Sequence, residues 1–242
     1  MRRHVLGIDH VVILVRDLDR ARDTYQRMGF TPTPRGYHSL GSQNHCFMFG
    51  RDYLELMALP PELPAAFQYF ADFLAQGEGV GALALATDDA AGAYAALTDE
   101  GIAAEAPLAL SRPVQDLGEA RFTLVQLPPE QTPGFRTFLC QHHTRDIVWR
   151  PEYQLHAIGA TGIESVSVAA PDPARYAPLL AGLPVKFSAA GAPVIDALRI
   201  RVGNRERAAE TLERGGFSPA MLVDGSLVVG AGEAHGVALI FG

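Results

Sequence analysis

The sequence predicts an α+β protein made of repeated βαβββ modules, whose curved mixed sheets surround a cavity and whose C-terminal half is contracted. Three observations lead to this fold class. An apolar strand-like run followed by a short helix recurs four times, with an acidic cap between them in the first two copies and a weaker match in the fourth. Short extended pieces follow the first two helices. The third repeat is too short to hold three strands. Internal repetition determines architecture before any single residue is interpreted.

The first repeat occupies the N-terminal 58 residues. Residues 8–15 are apolar and β-branched, which is typical of a buried strand. Asp17 is suited to cap a helix that ends near Gly29. Three short extended pieces come next, and Gly-rich turns separate them. They are residues 36–41, 45–49 and 53–58.

The later repeats follow the same order with growing irregularity. The second has a strand at residues 81–86, a helix at 91–100, and strands near 121–127 and 136–141. The third begins at "GIESVSVAAPDPARYAPLLAGL" and the fourth at "ALRIRVGNRERAAETLERGGF". We therefore expect an N-terminal pair of modules at 1–143, a crossover linker at 144–161 and a contracted pair at 162–242.

Composition narrows the class of partner. The 242 residues carry a net charge of −7, which disfavours a nucleic-acid-binding protein. The two cysteines are far apart in sequence and favour a reducing compartment. No stretch of about 20 apolar residues is present, so we expect no membrane partner. These features predict a cytoplasmic protein that binds a small molecule.

Four segments carry a family resemblance: "GIDHVVILVRDLDRARDTYQRMGF", "DYLEL", "HHTRDIVWRPEYQLHAIGATGIESV" and "AHGVALIF". They resemble the vicinal oxygen chelate superfamily, which includes glyoxalases and extradiol dioxygenases, and within it the glyoxalase-like domain proteins. The resemblance implies paired modules around a cavity that holds a divalent metal. It does not specify the reaction, because the superfamily contains isomerases, lyases, dioxygenases and non-catalytic binding proteins.

The same resemblance implies two metal ligands in the first module. His10 lies in the first strand and Glu55 in the last strand, at positions where the superfamily binds its metal. An imidazole and a carboxylate suit Zn, Mn, Fe, Co or Ni. The alternative is a buried hydrogen-bonded His–Glu pair without metal.

A third ligand is harder to assign. The positions in later repeats that match the family ligands carry other residues: Ala82, Ser165 and Ile240. Gln141 and His143 are the candidates at the end of the second module, with His142 as a further one. Strand alternation places Gln141 and His143 on one face and His142 on the other. Alternatively, these three residues only close a strand at the surface.

Three further residues are candidates for roles near the metal. His45 begins the strand beside Glu55 and is a candidate proton shuttle, ligand or structural histidine. Arg150 is a candidate for holding a substrate carboxylate, although its segment also suits a packing anchor. Phe47 is a candidate for the apolar wall of a substrate pocket, or for the core.

These observations favour a glyoxalase-like, metal-dependent enzyme of isomerase or lyase type that acts on a small, oxygen-rich, chelating substrate. Glu55 or His45 would move the proton. The alternatives are a non-catalytic small-molecule binding protein, a ring-cleaving dioxygenase, and a degenerate domain kept for assembly. Because modules of this kind often pair across subunits, we also expect a homodimer.

Overall fold

The computed structural model describes residues 2–114 and 117–242. Its strands form two sheets, and the first has eight strands in the order β2-β3-β4-β1-β5-β8-β7-β6. The strands of the first sheet are β1 (Gly7–Leu14), β2 (Gly36–Tyr37), β3 (Gln43–Met48), β4 (Tyr53–Ala58), β5 (Gly79–Ala86), β6 (Leu108–Val114), β7 (Gly118–Gln126) and β8 (Arg136–His142). This sheet curls until its two end strands, β2 and β6, contact each other.

The second sheet has six strands in the order β10-β9-β11-β14-β13-β12. Its strands are β9 (Ala160–Ala170), β10 (Val185–Ala189), β11 (Val194–Val202), β12 (Ala220–Met221), β13 (Leu227–Val229) and β14 (Ala238–Phe241). The α-helices are α1 (Leu18–Arg27), α2 (Gln68–Gln76), α3 (Ala90–Asp99), α4 (Arg145–Val148), α5 (Ala177–Leu180) and α6 (Arg205–Arg214).

The pairing of strands confirms the repeated module. In the first module β1 lies parallel to β4, and in the second β5 lies parallel to β8, while β1 and β5 meet antiparallel at the centre. The second sheet repeats this arrangement with β9 and β10, β11 and β14, and β9 beside β11. Among the described residues, β10 is the one strand between β9 and β11, so the expected contraction of the C-terminal half is confirmed.

Two elements differ from the sequence-based expectations. The periodicity did not indicate β6, whose residues are mostly exposed or half-buried and include Pro113 at the end of the sheet. It also did not indicate α2, which follows β4 and has no fully buried residue. Both elements lie beside the cavity, where their side chains face a concave surface rather than a continuous core.

The main core lies outside the curl of the first sheet, between its convex face, the helices and the second sheet. Helix α1 is capped by Asp17, whose carboxylate accepts a hydrogen bond from the Arg20 amide at 3.0 Å. It buries Tyr25 completely, and the Tyr25 hydroxyl donates to the Ala234 carbonyl at 3.2 Å. The two sheets are thus joined by one packed interior, which holds the curled sheet in shape.

Strand alternation gives the first sheet two different faces. In β1, Val11 and Ile13 belong to the main core, while His10 and Val12 line the concave side. No helix among the described residues is long and apolar enough to cross a membrane. The concave side, with its buried polar groups, is where a functional site is to be sought.

Candidate metal and substrate site

The curled sheet encloses a cavity of about 220 Å³. This is smaller than pockets for drug-sized ligands, which span roughly 300–1,000 Å³, so it suits a small molecule. Most of its lining is apolar. The polar and charged side chains on its wall are His10, His38, Ser39, Ser42, Asn44, Glu55, Ser111, Arg112, Gln126 and Arg136.

His10 and Glu55 meet in this cavity. Glu55 lies in β4 opposite Val12 of the parallel strand β1. His10 lies two residues before Val12 on the same face of β1, so the side chains of Glu55 and His10 approach each other. The Nε2 atom of His10 is 3.5 Å from Oε2 of Glu55. Both side chains are buried, with 4% and 5% of their residues' surface exposed. A polar pair this deep needs partners for its remaining atoms.

Asp9 supplies the partner for the other ring nitrogen of His10. Its Oδ2 is 2.6 Å from His10 Nδ1 and 3.0 Å from His142 Nε2. The pairing of β1 with β5 shifts register between Ile8 and His10, so Asp9 occupies a bulge and faces the same groups as its neighbour. Burial acts to raise the pKa of Asp9, but the hydrogen bonds from the two histidines outweigh it and hold the pKa at about 2.

These contacts determine the tautomer of His10. An ionised Asp9 only accepts hydrogen bonds, so Nδ1 of His10 carries the proton that it donates. In neutral His10 the Nε2 lone pair then faces the Glu55 carboxylate, and two acceptors stand opposite each other. A cation between them removes the conflict. Two atoms that each lie about 2.1 Å from one zinc ion at a tetrahedral angle are about 3.4 Å apart, close to the observed separation.

Asn44 and His38 flank the other oxygen of Glu55. Asn44 Nδ2 donates to Oε1 at 2.6 Å, and His38 Nε2 lies 3.9 Å from the same oxygen. The Nδ1 atom of His38 contacts the Ser42 hydroxyl at 2.8 Å. Burial lowers the pKa of His38, with the positive charge of Arg112 adding to the effect, so its neutral form is favoured. The Glu55 carboxylate is therefore flanked by His10 at one oxygen and by His38 at the other.

Aromatic side chains pack around His10 and His142. The ring of Tyr53 stacks on His10 with centroids 4.4 Å apart. Trp149 packs edge-on against Tyr53 and against His142, at 5.3 and 4.8 Å between centroids. The Arg145 guanidinium lies 3.5 Å from the Trp149 ring centroid. Trp149 therefore packs this segment against the first sheet.

The second module does not repeat this donor set. Glu55 lies opposite Val12, and the matching pair in the second module is Phe138 opposite Ala84. Ala82, which matches His10, lines the cavity with no ligand atom in its side chain. The second module thus has no ligand atoms at the two positions that match His10 and Glu55, and its part of the cavity wall is mostly apolar.

The structure does not bring Gln141 or His143 to this pair. Gln141 accepts a hydrogen bond at 3.0 Å from the amide of Ala90, the first residue of α3, and His143 Nε2 lies 2.8 Å from the Thr123 hydroxyl. Side chains alternate along β8 as expected, but the side chains that face inward are those of Phe138, Cys140 and His142. His142 points to Asp9, so the expectation that Gln141 and His143 face the cavity is wrong.

His45, Phe47 and Arg150 also lie away from the cavity. His45 donates through Nδ1 to the Thr33 carbonyl at 2.8 Å, on the face of β3 opposite Cys46. Phe47 is fully buried in the main core. The Arg150 guanidinium pairs with Glu152, a half-exposed carboxylate, at 2.5 Å. The expectation that these three side chains lie at the cavity is therefore wrong. Strand alternation turns His45 and Phe47 to the other face of β3, and Arg150 forms an ion pair outside the cavity.

A second group of donor atoms lies next to His10. One atom each from Asp9, Cys140 and His142 lie within 4.8 Å of one another. Burial raises the pKa of the Cys140 thiol well above its usual value, so the thiolate that a metal requires is disfavoured. Asp9 already accepts hydrogen bonds from two histidines. These three residues are therefore better suited to support His10 than to bind an ion themselves.

Sequence reasoning missed Asp9, His38, Asn44 and Arg112. Strict alternation turns Asp9 away from His10, and only the bulge reverses it. His38 lies between short strands, outside any strand pattern. A signal was available for Asn44, because it shares a face of β3 with Cys46, which lies opposite Glu55.

Comparison with known proteins identifies the family and the fold. The family model described as "Glyoxalase-like domain" matches residues 8–183, which is most of the chain. No curated protein matches the chain significantly. Among solved structures, a hypothetical protein from Staphylococcus aureus superposes with a TM-score of 0.69 at 13% identity, covering 98% of each chain.

Two dioxygenase structures share the fold at similar identity. An extradiol ring-cleaving dioxygenase from B. fuscum has a TM-score of 0.58 at 14% identity, covering 98% of this chain and 72% of its own. A 2,2',3-trihydroxybiphenyl 1,2-dioxygenase from Sphingomonas wittichii has a TM-score of 0.56 at 14% identity, covering 98% and 91%. The chain belongs to the glyoxalase-like domain family.

Proposed function

We propose that this protein is a metal-dependent glyoxalase-like enzyme, of isomerase or lyase type, that acts on a small, oxygen-rich, chelating substrate. The observation that carries the proposal is the 3.5 Å approach of His10 Nε2 to Glu55 Oε2 on the wall of the cavity. Asp9 keeps the His10 lone pair directed at Glu55. The packing of an apolar cavity does not need a buried imidazole and carboxylate facing each other, whereas a divalent ion would be bound by both groups.

In this proposal His10 and Glu55 hold the ion, which is Zn, Mn, Fe, Co or Ni. His38 replaces Gln141 and His143 as the third candidate ligand, because its Nε2 is 3.9 Å from Glu55 Oε1. The bound ion would supply Lewis-acid chemistry toward two neighbouring substrate oxygens.

The protein's own groups prepare the site for that chemistry. Asp9 orients His10, and Asn44 orients Glu55 through its 2.6 Å hydrogen bond. Phe67 and Phe138 on the cavity wall exclude water. Glu55 is the group proposed to move a proton, since His45 lies on the other face of its strand.

Metal binding is the first test. We expect the purified apo-protein to bind one divalent ion per chain by calorimetry, and the Glu55→Gln variant to lose at least tenfold in affinity. Glu164→Gln is the control, because Glu164 is an exposed carboxylate on β9. The His143→Gln variant should bind like the wild type. An unchanged affinity in Glu55→Gln, with native circular dichroism, would refute the proposed site.

Catalysis is tested separately. The metal-loaded protein should exchange the proton next to the carbonyl of small 2-hydroxy and 2-oxo compounds in D₂O, followed by NMR. Exchange should stop in Glu55→Gln. Metal binding without exchange of any compound in the panel would favour the second candidate function.

That second candidate is a non-catalytic binding protein with the same cavity. The observation in its favour is the apolar pair Ala82 and Phe138 at the positions that match the ligands of the first module. A ring-cleaving dioxygenase remains the third alternative, and the dioxygenase structures support it only through the shared fold. Oxygen uptake with catechols and Fe(II) would distinguish it from an isomerase or lyase.

Location and assembly are also proposals. We propose a cytoplasmic protein, supported by two buried cysteines that form no disulfide. We also propose a homodimer, supported by the short second sheet, whose end strand β10 is mostly exposed. Light scattering of the purified protein tests the dimer, and a mass near one chain would refute it.

A further inference from the structure

We propose that the substrate is an anion and that Arg112 binds its carboxylate or equivalent oxyanion. This inference rests on the proposed function, since it names the class of substrate for the same cavity. Arg112 lies on β6 at the end of the curled sheet, and its side chain lines the cavity wall. Arg112 thus places a positive charge from the second module in the cavity that His10 and Glu55 of the first module line.

The guanidinium of Arg112 lies beside the residue that orients Glu55. A methyl group placed on Gly36 of β2 would be 3.2 Å from Arg112 Nη1 and only 2.2 Å from Asn44 Oδ1. Glycine at position 36 therefore lets β6 approach β2 closely enough for both groups to reach the same space. His38 and Cys46 lie on the wall of the same cavity as Arg112.

Arg112 differs from the other arginine on the cavity wall. Arg136 donates to Gln126 at 3.0 Å and lies 3.8 Å from the Glu105 carboxylate. Within the part of the chain that the structure describes, no side-chain hydrogen bond or ion pair engages Arg112. It is also only half-buried, so a ligand in the cavity can reach it.

A guanidinium on a mostly apolar wall is suited to a ligand carboxylate. Its planar fork binds a carboxylate with two parallel hydrogen bonds, which a neutral ligand cannot match. The apolar side chains around it, including Phe122, Leu124 and Met57, suit the hydrocarbon part of the ligand. A small 2-hydroxy or 2-oxo acid combines the carboxylate, the chelating oxygens and the apolar group.

The test compares two probes that share a shape and differ in charge, mandelate and mandelamide. Their affinities for the wild-type protein are measured by NMR titration, with and without a divalent metal. We expect mandelate to bind at least tenfold more tightly than mandelamide. Arg112→Gln should lose this preference, whereas Arg112→Lys, which keeps the charge but not the fork, should retain part of it.

Arg121→Gln is the matched control. Arg121 is the exposed neighbour on β7, and it lies opposite Ser111, the residue before Arg112. This variant should keep the preference for mandelate. A wild-type protein without the preference, or an Arg112→Gln variant that retains it, would overturn the inference.

The outcomes separate this inference from the proposed function. A protein that binds metal through Glu55 but prefers neither probe would refute the role of Arg112 alone. A protein without metal binding whose preference for mandelate still depends on Arg112 would refute the metal-dependent function and keep the anion site. If Arg112→Gln does not fold, the preference of the wild type and the Arg112→Lys result still decide the matter.

Discussion

Asp9→Asn is the substitution that tests how the site is built. Asp9 accepts hydrogen bonds from His10 Nδ1 at 2.6 Å and from His142 Nε2 at 3.0 Å. Asparagine has almost the same shape but offers one oxygen and an NH₂ group. If the NH₂ group faces His10, Nδ1 becomes the acceptor and the proton moves to Nε2. The hydrogen then points at Glu55, where the proposed ion would lie.

The expected loss of metal affinity follows from this change. Carboxylates that orient a metal-bound histidine typically contribute 10- to 100-fold to affinity. The corresponding free energy of binding is roughly 1.4 to 2.7 kcal/mol. The upper part of this range is expected here, because Asp9 is 1% exposed and water cannot replace the lost hydrogen bond.

The assay is calorimetric titration of chelator-treated protein with Zn²⁺ and Mn²⁺ at pH 7. Asp89→Asn is the control, because Asp89 caps α3 at the surface, accepting from the Gly92 amide at 2.9 Å, and asparagine caps a helix equally well. Near-ultraviolet circular dichroism shows whether each variant is folded. Equal affinity in a folded Asp9→Asn variant and the wild type would refute the argument that Asp9 directs His10 toward a metal.

Two further predictions concern stability. Burial raises the pKa of Asp52 to about 6, above the 3.8 expected when unfolded, so its contribution to stability is greatest below about pH 4 and is lost as pH rises through 6. Asp52→Asn keeps an acceptor for the Ile163 amide. It should raise the free energy of unfolding above pH 6 by up to about 3 kcal/mol, with no gain at pH 4. Urea unfolding of both proteins across this pH range measures the difference, and the same pH dependence in variant and wild type would contradict the prediction. Phe47→Ala should lower the free energy of unfolding by about 3–5 kcal/mol, because Phe47 is fully buried and stacks on Tyr25 at 5.2 Å. If it instead weakens mandelate binding without loss of stability, Phe47 lines the pocket after all.

The repeated module was predictable because its signals are local. An apolar run, a cap such as Asp17 and a glycine such as Gly29 each act within one turn or one strand. The same local rules predicted the contraction of the C-terminal half, since a short segment cannot hold three strands. They did not indicate β6, because an exposed strand with Pro113 lacks the apolar alternation of a core strand.

The site was only half predictable for the same reason. Matching to the family indicated His10 and Glu55, and the structure brings them within 3.5 Å of each other. Alternation correctly separated Gln141 and His143 from His142, but it cannot say which face of a strand is concave. Only the curl of the sheet decided that His142 faces inward.

What the sequence by itself determined is the order of the modules and the two donors that lie in regular strands. The tertiary structure decided everything that depends on distant segments meeting. A bulge turns Asp9 toward His10, and the approach of β6 to β2 brings Arg112 beside Asn44. The physical reason is that strand periodicity sets the direction of each side chain locally, whereas a cavity is formed by the curvature of the whole sheet.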